Sequence, residues 1–315
     1  MHRKIGTKKI MMHELDCSRI IRQELPLFPR LHPSRLTEPA RRALISCLHS
    51  LNQLADIAPE NYGTHDTYNN LLDQLVATYL PTATSTGTTA SATTSETLYW
   101  ACEACWTKYV LFFDEQRDHL LDQTFEYLDT VITPAASTPV SYPVAALIRQ
   151  LFSHCSLDED TENPYLLALR TYLDAVLPHL GAVLLPLETN PSAVSGLTVA
   201  DVDQFTLLLE CDYLFEDAYR RQVRPLCDIL HRHLPRHLSA TPSASLLAAY
   251  SRLLHADVVS GRPNHNTPLA AVAQSGLETS SRLSDDWWQY LSVCAAVVLD
   301  HEYARQDLIF DTPSF

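Results

Sequence analysis

Lysine and methionine are nearly absent from this chain of 315 residues. The lysines are Lys4, Lys8, Lys9 and Lys108, and the methionines are Met1, Met11 and Met12. Both types are concentrated at the start, so residues 1–12 are expected to be a disordered extension, with Met11 or Met12 the natural start. Glycine is also scarce, at 7 residues. Open sheets with tight turns and phosphate-cradling loops both consume glycine. Its scarcity beside abundant Leu and Ala points to an all-α chain. No apolar run approaches the ~20 residues that cross a bilayer. The opening MHRKIGTKKIMMHELDC lacks the apolar core of an export signal. These two absences argue against a membrane protein and predict a cytoplasmic one. Basic charge is short as well. The net charge of −14 argues against nucleic acid as the partner, because affinity for phosphates needs a surplus of Lys and Arg. No G-x-S-x-G, Walker loop, H-E-x-x-H or dinucleotide fingerprint occurs.

What is present is a globular composition, 46% hydrophobic, and one helix that recurs. Leu71–Pro81 reads LLDQLVATYLP, Leu120–Pro134 reads LLDQTFEYLDTVITP, Tyr165–Pro178 reads YLLALRTYLDAVLP, and Leu226–Pro235 reads LCDILHRHLP. Each variant is expected to stop at its proline. Each is preceded by another helix with a readable start. Thr37-Glu38-Pro39 opens a run to about Ile57, Ser95-Glu96 to about Phe113, and Ser141-Tyr142-Pro143 to about Cys155. Thr198 with Asp201 has the form of a capping box and opens a run to about Arg221. Thr241-Pro242 and Ser284-Asp285 open two more, and a short helix from Thr267 is expected to stop before Gly276. A hydroxyl at each start accepts from the exposed N–H groups of the first turn, and a proline there loses nothing.

The connections fall between the pairs. Residues 26–36 read as a proline-broken linker, and residues 82–95, TATSTGTTASATTS, as a flexible loop with nothing to bury. Echoes recur 45 and 49 residues apart: Leu71-Leu72-Asp73-Gln74 with Leu120-Leu121-Asp122-Gln123, and Tyr127-Leu128-Asp129 with Tyr172-Leu173-Asp174. Two-helix periods of that length are the mark of helical solenoids. The stretch 215–230, FEDAYRRQVRPLCDIL, resembles the inter-helix turn and second helix of a HEAT repeat. The expected fold is therefore all-α, an array of about five or six helical hairpins forming a HEAT-like α-solenoid, with residues 13–315 as a single domain. The alternative is a single irregular α-helical bundle.

Few residues are candidates for chemistry. Phe112-Phe113-Asp114-Glu115-Gln116-Arg117-Asp118 resembles the aspartate-rich motif of class I terpene synthases, whose carboxylates hold Mg²⁺. That motif needs a second metal-binding helix, and Asp212–Glu216 lacks its hydroxyl residue. The same acids read equally as the first turn of a helix, where negative charge meets the dipole favourably. Cys102-Glu103-Ala104-Cys105 is a lone C-x-x-C between helical flanks, and positions i and i+3 share a buried face. The remaining cysteines, Cys17, Cys47, Cys155, Cys211, Cys227 and Cys294, read with these two as free thiols. Cys227, His231, His233 and His237 offer two ligands one turn apart and no clear third. We expect no cofactor and no metal.

The expected function is a non-enzymatic helical-repeat scaffold or adaptor for protein–protein interaction, with an acidic surface and a basic protein partner. Its candidate partner-binding residues are Trp287, Trp288, Asp285 and Asp286, plus Arg220, Arg221 and Arg224. A tandem Trp beside acids makes an anchor if exposed and a core element if buried. Nucleic-acid binding would require Arg220, Arg221, Arg224, Arg232 and Arg236 to form one basic strip. The alternative function is an all-α, Mg-dependent enzyme using the acids at 114–118.

Overall fold

The computed structural model describes residues 16–80, 92–110, 114–132, 139–155, 163–211, 217–259 and 267–310. The expected extension at 1–12 and most of the loop expected at 82–95 lie outside them. Among the described residues every regular element is helical. α1 covers 16–24. α2 (Glu38–Ile57), α3 (Pro59–Tyr62), α4 (His65–Tyr79) and α5 (Ala92–Thr107) follow. Next come α6 (Glu115–Val131), α7 (Tyr142–His154), α8 (Pro164–Leu184), α9 (Val199–Glu210) and α10 (Asp217–Ala240). The chain closes with α11 (Ala244–Val259), α12 (Thr267–Thr279) and α13 (Asp285–Phe310). Short 3₁₀ turns stand at Leu25–Arg30, Pro33–Arg35, Leu185–Glu188 and Pro191–Gly196.

The helix starts follow from local chemistry. Thr37 caps α2 by accepting from the Ala40 N–H at 3.4 Å. Thr198 and Asp201 form a complete capping box on α9, with the Thr198 N–H donating to Asp201 at 2.8 Å. Asp114 caps α6 by accepting from the N–H groups of Gln116 and Arg117 at 3.0 and 3.3 Å.

Two of the four expected stops hold, with α4 ending at Tyr79 before Pro81 and α6 at Val131 before Pro134, and two do not. α8 runs through Pro178 to Leu184, and α10 runs through Pro225 and Pro235 to Ala240. An internal proline forfeits one backbone hydrogen bond and costs about 3 kcal/mol. Beyond Pro178 lie Leu180 and Leu184, each 1% exposed, and beyond Pro235 lies Leu238, also 1% exposed. Burying these leucines on a continued helix offsets the loss. The segment read as an inter-helix turn around Gln222–Pro225 is thus helical.

The chain divides into two compact units. The first comprises Met1–Gln74, Thr107–Tyr109 and Pro235–Phe315; the second comprises Leu75–Trp106 and Val110–Leu234. In the first unit α13 is the hub. Its most extensive packing is with α2, followed by α12 and α11. Trp288, Leu291, Val293, Cys294 and Ala295 are all fully buried, so α13 is apolar around its circumference, as a central helix must be. Gly276 lets α12 approach it: a Cβ there would lie 2.4 Å from the Tyr290 ring. The stretch 26–36 is no passive linker. Phe28 is 1% exposed and packs edge-on against Tyr68 at 6.1 Å and Trp288 at 6.3 Å. In the second unit α7 packs on α8, and both contact α9. Val144–Ile148 and Leu151 form the buried face of α7.

Candidate interaction surface

The tandem tryptophans stand at the start of α13. Trp287 is 5% exposed and Trp288 0%, with their rings edge to face at 4.9 Å. An anchor for a partner must reach solvent, and these indoles do not. The reason is the hub position of α13: residues one apart point about 100° away from each other, yet helices cover both directions. The acids beside them remain nearer the surface. Asp285 is half-buried and accepts from the Thr37 hydroxyl, while Asp286 is exposed in the first turn of α13.

Arg221 and Arg224 are exposed on α10, and the side chain of Arg220 lies outside the described residues. Arg232 lies on the same helix and pairs with Glu188 at 2.6 Å, and Asp228 stands between. The inward face carries Val223, Leu226, Cys227, Ile229, Leu230 and Leu234, all buried. Cys227 Sγ lies 3.1 Å from His231 Nε2. His233 is 8% exposed, and its buried Nε2 has no hydrogen-bond partner among the described residues. Among the described residues no group of three or more His, Cys, Asp or Glu is gathered to hold a metal.

The acids at 114–118 occupy the N-terminus of α6. Asp114 is committed to its cap, and Glu115 and Asp118 are exposed. Phe112, Phe113 and Asp212–Glu216 lie outside the described residues. The row does not end at Asp118. Glu115, Asp118, Asp122, Glu126 and Asp129 follow at spacings of three, four, four and three, so they share one face of α6, and all five are exposed. They span about 21 Å of helix. Among the described residues none of the five is in an ion pair; Asp129 accepts from the Tyr165 hydroxyl at 2.5 Å. Arg117 turns away from the row and sets its guanidinium over Trp106, 4.3 Å from the ring centroid. The opposite face of α6 buries Leu120, Thr124 and Leu128, with Thr124 against Cys102 at 3.4 Å. Helical spacing of the acids was the signal for this row in the sequence.

His154 also meets Trp106, with its ring stacked at 4.9 Å and 14°. Burial of that face, then the positive charges of Arg149 and Arg117, push His154 down to about 4. Much of its surface is nonetheless exposed. The C-x-x-C thiols are core groups: Cys102 is 1% exposed, Cys105 is 0% exposed, and burial pushes Cys102 up to about 12. Such thiols are poor nucleophiles. Among the described residues no helix is long and apolar enough to cross a membrane.

No family model, no curated protein and no solved structure matches this chain.

Proposed function

We propose that this chain is a non-enzymatic interaction protein that docks a basic protein partner on the acidic face of α6. The observation that carries the reading is the row of five exposed carboxylates, none of them in an ion pair among the described residues. Like charges at i and i+4 destabilise a helix by about 0.2–0.5 kcal/mol per pair. Asp118–Asp122 and Asp122–Glu126 are two such pairs. A basic partner turns this repulsion into complementarity and speeds encounter. The Asp114 side chain, spent on its cap, supports the reading of 114–118 as a helix start over its reading as a metal ligand set.

The architecture belongs to the same proposal. Pairing of α7 with α8 supports local hairpins of HEAT-like form in the second unit. Pairing of α2 with α13 joins the early and late parts of the chain in the first unit and supports a closed bundle there. An open solenoid brings only neighbouring repeats together. A cytoplasmic setting is part of the reading. Eight free cysteines, seven of them buried, support it.

The test is affinity capture from host extract with the wild type beside Asp118→Asn/Asp122→Asn/Glu126→Gln. The expected result is a stoichiometric basic protein held by the wild type and lost by the variant. A partner held equally by both overturns the docking face.

A further inference from the structure

A second surface carries more geometry than the acid row, and it lies wholly within the first unit. The end of α5 and the two residues after it, Thr107-Lys108-Tyr109, lie along α2 and α4. Asn69 reads the backbone of Tyr109 in both directions: its Nδ2 donates to the Tyr109 carbonyl at 2.7 Å, and its Oδ1 accepts from the Tyr109 N–H at 3.0 Å. Asn52, 4% exposed, donates to the Thr107 carbonyl at 2.9 Å. The Tyr109 ring stacks on His65 at 4.0 Å and 13°. His65 is held in turn, with Nδ1 at 3.1 Å from Asn52 Oδ1 and Nε2 at 3.0 Å from Asp56 Oδ1. Lys108 pairs with Asp73 at 2.9 Å, its side chain only 7% exposed.

These contacts divide as peptide recognition does. Two amides take the main chain, one carboxylate takes a lysine, and one imidazole takes an aromatic ring. The Asn69 amide engages both main-chain groups of one residue, as a neighbouring strand does, and side-chain subsites beside such contacts give specificity. We infer that α2 and α4 form a peptide-recognition site for an extended segment carrying Lys followed by an aromatic residue, filled in this structure by the chain's own Thr107-Lys108-Tyr109. The tethered segment holds the site at a high effective concentration, so an external segment binds well only once the tether is released. The partner class is a basic, aromatic-bearing segment of another protein. This site is independent of the α6 row.

The near-absence of lysine makes the test sharp. Beyond Lys9, Lys108 is the one lysine in the chain, so lysyl endopeptidase reports on it alone and yields fragments 10–108 and 109–315. The expected result is slow cleavage of the wild type and at least ten-fold faster cleavage of Asn69→Ala, with unchanged helical circular dichroism. Asp73 is exposed, so Asp73→Asn serves as the second variant should the first fail to fold. In the second arm, fluorescein-labelled Trp-Thr-Lys-Tyr-Val, the sequence of residues 106–110, is titrated by anisotropy. It should bind Lys108→Ala/Tyr109→Ala, whose tethered segment keeps its main-chain contacts but has lost both side-chain contacts, at least ten-fold more tightly than the wild type. Adding Asn69→Ala should abolish that binding. Equal cleavage of the wild type and both variants overturns the tethered contact. Failure of the peptide to bind the weakened-tether variant, or binding indifferent to Asn69, overturns the recognition site.

Discussion

Leu283 is the one described residue other than glycine with a positive φ, at 68°, and its side chain is 45% exposed. It stands in the turn between α12 and α13. A left-handed backbone costs an L-residue with a Cβ roughly 1–2 kcal/mol, and no burial offsets it here. Leu283→Gly is expected to raise stability by about 1 kcal/mol, net of the greater entropy of the unfolded chain. A higher midpoint in urea at constant slope is the readout. His154 gives a prediction in pH. Its folded value, about 4, lies below the ordinary 6.5. Between these values the unfolded chain binds the proton more readily. Stability from neutral His154 is therefore complete above about pH 6.5 and is lost as pH falls towards 4. In His154→Phe, which keeps a ring against Trp106, unfolding curves at pH 7 and pH 5 should lie closer together than in the wild type. An unchanged gap would leave the acid sensitivity to the carboxylates.

At the scale of the element, starts and stops obey different physics. Thr37, Thr198 and Ser284 mark helix starts because a cap is a contact among residues within one turn, and such contacts are written in adjacent sequence. Pro178 and Pro235 fail as stops because buried leucines lie beyond them, and Gly276 fails because its bare backbone packs against Tyr290. That information is tertiary. Gly276 shows the point most directly. Its lack of a side chain reads as a breaker, yet its use is the close approach of α12 to Tyr290 on α13. Gly276→Ala should improve helix propensity and still destabilise the fold by about 1–3 kcal/mol through overpacking, lowering Tm. A raised Tm would show that Tyr290 moves aside freely. The candidate surfaces divide in the same way. Of the acid row on α6 only the stretch 114–118 was singled out from the sequence; its continuation through Asp122, Glu126 and Asp129 was missed, although their helical spacing carried the signal. Burial of Trp287 and Trp288 was not legible, because Phe28 and the helices that cover α13 come from distant parts of the chain. Nor was the site around Asn52, Asn69 and Asp73, which joins residues 35 to 55 positions away from the groups they hold.

For the whole molecule, charge is the ruling quantity. A net charge of −14 favours encounter with basic proteins and disfavours polyanions, and the effect weakens as salt shortens the Debye length. The arginines of α10 are a local exception within that field. The α6 row concentrates the overall sign on a rigid element, where it can fix the register of a partner as well as attract one. Carboxylates retained for stability would be missed when removed; carboxylates retained for docking would not. Neutralising Asp118, Asp122 and Glu126 relieves about 0.2–0.5 kcal/mol per like-charge pair and forfeits about 0.3–1 kcal/mol from Asp118 in the first turn, so stability should stay close to that of the wild type. The decisive measurement is an equilibrium titration of the captured basic partner into the wild type and Asp118→Asn/Asp122→Asn/Glu126→Gln at low and moderate salt, with thermal unfolding of both proteins alongside. The variant should show at least a ten-fold loss of affinity, a shallower salt dependence and a Tm close to that of the wild type. Equal affinity and equal salt dependence in the two proteins would contradict docking on α6.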